Sequence, residues 1–241
     1  WLMVVLISGL GFVGYVAIRF LGARAGISVT GLVGGLASST ATTLALTRSS
    51  RDTPELSKTL AIGIVLANTL MIGRVAVIIL ALNRPLFNTL LPAILIMAAP
   101  TAIFLFWRFY FSNQKEEEVS LPEIRNPLSL KLAIKFALLY AMIVFLVKAA
   151  GEWGGGAGFY PIAFISGLTD MDAIALSLTN TQKEGSLLMV QAARGIMLGA
   201  VANSIFKTGF ALSLGNNALR MPILLGMIPM IIAGIASIFI L

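Results

Sequence analysis

Apolar residues run along most of the chain in stretches of roughly 20, the length a helix needs to cross about 30 Å of hydrocarbon, and short polar clusters separate them. The first stretch, from about Trp1 to Phe20, closes on Arg19, Gly22 and Arg24. A second, Gly26 to Thr47, mixes Gly, Ser and Thr among its apolar residues and ends in the polar cluster from Arg48 to Glu55. There Thr53, Pro54 and Glu55 are expected to serve as cap, first turn and dipole partner of a third segment, Glu55 to Leu82. Asn83, Arg84 and Pro85 interrupt the pattern. A fourth segment, Leu86 to Tyr110, then ends in Trp107, Arg108, Phe109 and Tyr110, an aromatic and basic belt suited to a membrane interface. Residues 112–127, with Lys115, three consecutive glutamates, Pro122 and Pro127, have the composition of a solvated linker.

The second half repeats the first. A shift of 132 positions lays Ala157 and Gly158 on Ala25 and Gly26, Gly167 and Leu168 on Gly35 and Leu36, and Leu178 and Thr179 on Leu46 and Thr47. Gly195 and Ile196 then fall on Gly63 and Ile64; with one residue added, Lys207 falls on Arg74 and Asn216 on Asn83. The expected architecture is an all-α integral membrane protein of two structural repeats, 1–111 and 128–241, joined by the aqueous linker 112–127. Each repeat has about four apolar segments, one of them Gly-rich and broken or re-entrant. If the Gly-rich segment spans, the halves are parallel; if it dips in and returns, they are inverted, and the distribution of basic residues leans toward inversion.

Composition sharpens the class. The chain of 241 residues is 58% hydrophobic and 11% charged, with a mean hydropathy of +0.96, outside the range of soluble domains. It has no Cys and no His, so thiolate and imidazole chemistry is excluded and oxygen ligands remain. The net charge of +7 is carried largely near the ends of apolar segments, which assigns it to topology and anionic headgroups rather than to nucleic acid. The start at Trp1, without a basic leader, reads as a piece of a longer protein and not as a signal peptide.

Two polar motifs interrupt the apolar background. In the first, Gly31, Gly34 and Gly35 precede Ser38, Ser39, Thr40, Thr42 and Thr43; the glycines suit close helix packing, and the hydroxyls suit an ion or its waters if the helix unwinds. In the second, following Gly167, Asp170 and Asp172 stand where Ser38 and Thr40 stand in the first. A central Asp costs roughly 2.5–3.5 kcal/mol on insertion scales, so a pair needs a partner, a cavity or a proton. On a regular helix the two would point about 200° apart, so a shared ligand requires a break there. Arg74, Arg194 and Lys207 lie inside long segments and are expected to pair with these carboxylates, to snorkel or to draw in an anion, with Asn68, Gln191 and Asn203 completing a polar network. Pro92, Pro100, Pro161, Pro222 and Pro229 are expected to mark kinks or breaks.

The run from Gly31 to Thr43, followed by Arg48, and the run from Gly167 to Ala173 resemble a bacterial and archaeal membrane family, the domain of unknown function often found C-terminal to an MgtC/SapB-type module. The resemblance implies an N-terminal MgtC-like partner segment, a prokaryotic cytoplasmic membrane and a loose association with magnesium. The expected function is an ion transporter or channel-like permease, not an enzyme. Its ion, Mg2+ or Na+ with H+ or Na+ as coupling ion, would be held by Asp170, Asp172 and the hydroxyls between the two motifs. An anion permease using Arg74, Arg194 and Lys207 is one alternative. A non-transporting module that steadies a partner is another, and the reading allows a homodimer. An intramembrane aspartyl protease is disfavoured because its Gly-x-Gly-Asp arrangement is missing, and no phosphate-binding loop appears.

Overall fold

The computed structural model describes residues 27–111 and 158–241, with scattered helical positions between residues 9 and 16 and between residues 134 and 149. The linker 112–127 and most of the first apolar segment and of the opening segment of the second half fall outside the described residues. Every regular element among the described residues is helical: α1 (Ile27–Asp52), a single 3-10 turn (Pro54–Leu56), α2 (Ser57–Leu82), α3 (Arg84–Phe111), α4 (Tyr160–Thr169), α5 (Met171–Lys183), α6 (Met189–Leu214) and α7 (Asn217–Ile240).

Among the described residues, four stretches are long and apolar enough to cross a membrane: Pro54–Leu82, Arg84–Trp107, Met189–Leu214 and Asn217–Ile240. Of their most apolar windows, 56% and 67% are buried in α2 and α6 but only 33% in each of α3 and α7, so α2 and α6 are the inner pair. The outer helices turn Ile103, Phe106, Met221 and Phe239 outward, which costs little where the surroundings are lipid. Tight turns join each inner helix to its outer neighbour. Asn83 Oδ1 accepts the Leu86 N–H at 3.1 Å, and Asn216 Oδ1 accepts the Leu219 N–H at 3.0 Å, so one asparagine caps the start of each outer helix.

The chain forms two compact units. One comprises Trp1–Arg74, Ala98–Pro127 and Phe206–Met230; the other comprises Val75–Met97, Leu128–Ile205 and Ile231–Leu241. Both draw on both halves of the sequence.

Within the first unit α1 lies directly on α2. A Cβ placed on Gly31 would come 2.5 Å from the Gly63 carbonyl oxygen, and one on Gly35 would come 2.6 Å from the Ala67 Cα. Within the second unit α4 lies on α6 in the same way, a Cβ on Gly167 falling 2.6 Å from the Gly199 Cα. Gly35 and Gly167, and Ala67 and Gly199, are each 132 positions apart. Gly63 and Gly195 share a second contact at that spacing: a Cβ on either would meet the Cδ1 of Leu46 or Leu178 at 2.8 Å.

Two local expectations change. The Thr53 hydroxyl does not cap the following turn; it donates back to the Ser49 carbonyl at 2.9 Å, because α1 runs on to Asp52 and leaves that carbonyl within its reach. The prolines do not break their helices either. α3 and α7 continue through theirs, and Pro161 sits in the first turn of α4, where its missing N–H costs nothing.

Gly35→Ala and Gly167→Ala are expected to lower stability by about 1–3 kcal/mol each, because the added methyl meets backbone that cannot yield alone. Gly73→Ala and Gly209→Ala, where a Cβ meets nothing within 4 Å, are expected to be neutral or to gain up to about 1 kcal/mol. Thermal unfolding of the four purified variants in detergent separates the two groups.

Candidate functional site

α1 is interrupted at Ser38, whose backbone is extended at φ −163°, ψ 98°. The local sequence favours this. Ser and Thr side chains compete with the helix ladder for backbone groups, and five of them in six positions follow two glycines. Ser38 Oγ accepts the Ala41 N–H at 3.3 Å, so the extended residue is the N-cap of the second half-helix.

The other hydroxyls take different tasks. Thr43 Oγ1 donates to the Ser39 carbonyl at 2.8 Å, and Thr40 is exposed. Thr42 is buried, its hydroxyl lacks a hydrogen-bond partner, and a Cβ on Gly34 would come 2.5 Å from it. Gly34 therefore makes room for a residue of its own helix across the bend, while Gly31 and Gly35 serve the contact with α2.

Ser39 faces a lysine. Lys207, fully buried on α6, donates from Nζ to Ser39 Oγ at 2.8 Å and to Asn68 Oδ1 at 3.1 Å, and lies 3.0 Å from Met71 Sδ. The Asn68 amide is held from its other end, where Nδ2 approaches Met230 Sδ at 3.6 Å. A buried ammonium without hydrogen bonds is very costly, so these acceptors are what allow the charge to stand inside a spanning helix.

A second cation comes to the same segment. Arg74 Nη1 donates to the Leu36 carbonyl at 2.8 Å, just ahead of the break, where a helix end needs donors and its dipole favours positive charge. Both interior cations of this unit thus serve the first motif.

The second break falls at Asp170, extended at φ −153°, ψ 111° between α4 and α5 and 132 positions beyond Ser38. Its Oδ1 accepts the Asp172 N–H at 2.9 Å and the Ala173 N–H at 3.2 Å, so the carboxylate caps α5. On the other side of the break, Asn203 Nδ2 donates from α6 to the Gly167 carbonyl at 2.7 Å. Each first half-helix therefore receives a side-chain donor from the long helix on which it packs. Asp172 is buried, whereas Asp170 and Arg194 are half-buried. Arg194 Nε and Asn203 Oδ1 are buried without hydrogen-bond partners.

A divalent metal does not fit the first motif, since the charged groups at Ser39 and Leu36 are an ammonium and a guanidinium. Among the described residues, no group of three or more acidic side chains is placed to hold a metal ion.

Two asparagines make further contacts. Asn216 Nδ2 donates to the Ser50 carbonyl at 2.6 Å, while its Oδ1 accepts from Ser57 Oγ at 3.1 Å; Asn83 Nδ2 donates to Gln182 Oε1. The matching of Asn83 with Asn216 was visible in the sequence, but their partners were not. Met71 and Met230 were also missed, as methionine spacing carries no polar signal.

Among the described residues, four helices long and apolar enough to span and two helical breaks capped by side chains, with every regular element helical, mark a membrane protein. The chain belongs to the family described as a domain of unknown function, DUF4010, whose profile matches residues 5–215. It is also similar to an uncharacterized protein of Aquifex aeolicus (strain VF5), 32% identical over 192 residues that cover 80% of this chain and 84% of that one. No solved structure matches the chain.

Asp170→Ala is expected to cost about 0.5–2 kcal/mol through loss of the cap, whereas Asp170→Ser, which reproduces what Ser38 does, restores most of it. Melting temperatures of the two variants in detergent are the check; equal losses would show that the charge of Asp170, not its capping, is what the fold uses.

Proposed function

We propose that this chain is a membrane ion permease of two inverted repeats, 1–111 and 128–241, with its solute site at the break in α1 and a small inorganic anion as solute. The observation that carries this reading is the ammonium of Lys207, buried on a spanning helix and directed at the hydroxyl of Ser39 beside that break. Arg74 adds a second positive charge at Leu36, and the second half-helix directs its N-terminal dipole toward the same place. Interrupted helices at membrane depth are tolerated only inside protein or beside a wet cavity, and in transporters they form the site.

Inversion is supported by the two asparagine turns. Asn216, where α6 ends, bonds to Ser50 and Ser57, where α1 ends and α2 begins. Asn83, where α2 ends, bonds to Gln182, just ahead of α6. Antiparallel inner helices require that arrangement. The pairs are also reciprocal, since Gln182 is the counterpart of Ser50 at the 132-position spacing and Asn216 that of Asn83 with one residue added. Such exchange of partners is what a two-fold relation between the repeats would give.

A cation is the second reading. Asp172, buried next to the second break, favours it, with H+ or Na+ as solute or coupling ion. An N-terminal MgtC-like segment, a homodimer and a prokaryotic cytoplasmic membrane complete the proposal.

Purified chain in liposomes is expected to carry chloride, sulfate or phosphate, each offered singly, and Lys207→Met is expected to reduce that flux at least tenfold. Asp172→Asn should change it far less. Uptake of Mg2+ or Na+ that survives Lys207→Met and is lost in Asp172→Asn would replace the anion by a cation. No flux of any of these ions from folded protein would favour the non-transporting module.

A further inference from the structure

The acceptors around Lys207 form a small oxygen site with the charge already supplied by the chain. Ser39 Oγ and Asn68 Oδ1 stand 2.8 and 3.1 Å from Nζ, both on buried residues. They belong to different helices, α1 and α2, while the ammonium comes from α6. Asn68 keeps its oxygen turned to the ammonium because its nitrogen faces Met230 Sδ. Ser39 is the first residue past the extended Ser38. Met71 Sδ, a further neighbour at 3.0 Å, is on a flexible side chain that can withdraw.

An ammonium and an alkali cation ask for the same things: oxygen lone pairs, a compact site and protection from competing anions. K+ resembles an ammonium in radius, so these oxygens would receive it with little rearrangement; Na+ would draw them closer. Truncating the lysine stem leaves a polar space, and water can complete the coordination there.

We infer that Lys207 occupies, as a tethered cation, a site for a monovalent alkali ion formed by Ser39 and Asn68, and that its presence makes the protein independent of K+ and Na+ at this position. The inference concerns the same break as the proposed permease but rests on ion binding alone. It assigns Lys207 the choice of charge sign: with the lysine the break presents positive charge, and without it the same oxygens select a cation.

The test uses the full chain purified in detergent, melted in KCl, NaCl and choline chloride at equal ionic strength. Wild-type protein is expected to melt at one temperature in all three. Lys207→Ala is expected to melt lower in choline and to recover by about 3 °C or more in K+ or Na+ held tenfold above its Kd. The recovery should vanish in Lys207→Ala/Ser39→Ala. If Lys207→Ala does not fold in choline, folding rescued by K+ or Na+ supports the inference; if it folds in no salt, Lys207→Ala/Asn68→Asp, which offers a carboxylate, takes its place. Folded variants that melt alike in all three salts overturn the inference, as does failure of both variants to fold in any of them. Liposome flux decides the permease reading separately. A cation response without anion flux leaves this inference standing and removes that reading, and anion flux with a cation-indifferent variant does the reverse.

Discussion

Buried inside a protein, every backbone N–H and C=O must find its partner there, and a helix that stops and restarts exposes several of each at once. The two interruptions at Ser38 and Asp170 meet that demand by the same means. On the restarting side, the extended residue folds its own side chain over the first free N–H groups. On the stopping side, a long helix sends a donor to a released carbonyl, Arg74 to Leu36 and Asn203 to Gly167. Those donors reach because the glycine contacts let the backbones touch, so close packing and polar satisfaction are one requirement rather than two.

The backbone solution is shared and the charge is not. Ser38 is neutral, and the cations Arg74 and Lys207 come to its side; Asp170 performs the same capping with a full negative charge, and the buried carboxylate of Asp172 follows it. Capping places Asp170 in the one setting where a carboxylate near a helix start is favoured by both hydrogen bonds and dipole. The cost of partly burying it is therefore much lower than for an isolated, uncapped Asp.

Much of this was legible in the sequence, and the exceptions are instructive. Segment length and polarity predicted the spans, and the mixture of Gly with Ser and Thr marked the broken segment, because those residues act on the backbone locally. The 132-position spacing also placed Ser38 opposite Asp170, where both breaks fall. What each hydroxyl would do was not legible. Five side chains close together on a chain can point to five surroundings once the helix bends, and only Ser39 meets a lysine. Lys207 illustrates the limit from the other side: its position within α6 was apparent, but its reach to α1 and α2 depends on how helices pack. Thr53 shows the reverse error, in which a sound local rule yields to what the neighbouring helix already offers.

The distance along the chain between Ser39 and its lysine, 168 residues, has a bearing on biogenesis. Ribosomes deliver a membrane protein from the N-terminus at about 5–20 residues per second. Ser39 and Asn68 therefore emerge well before α6, and for that interval the partner that closes their polar cluster has not been made. Lys207 in turn arrives when its acceptors are already present. The site is thus sealed only once α6 has been made, and a chain stalled before α6 would be left with an open polar seam for membrane quality control to recognise.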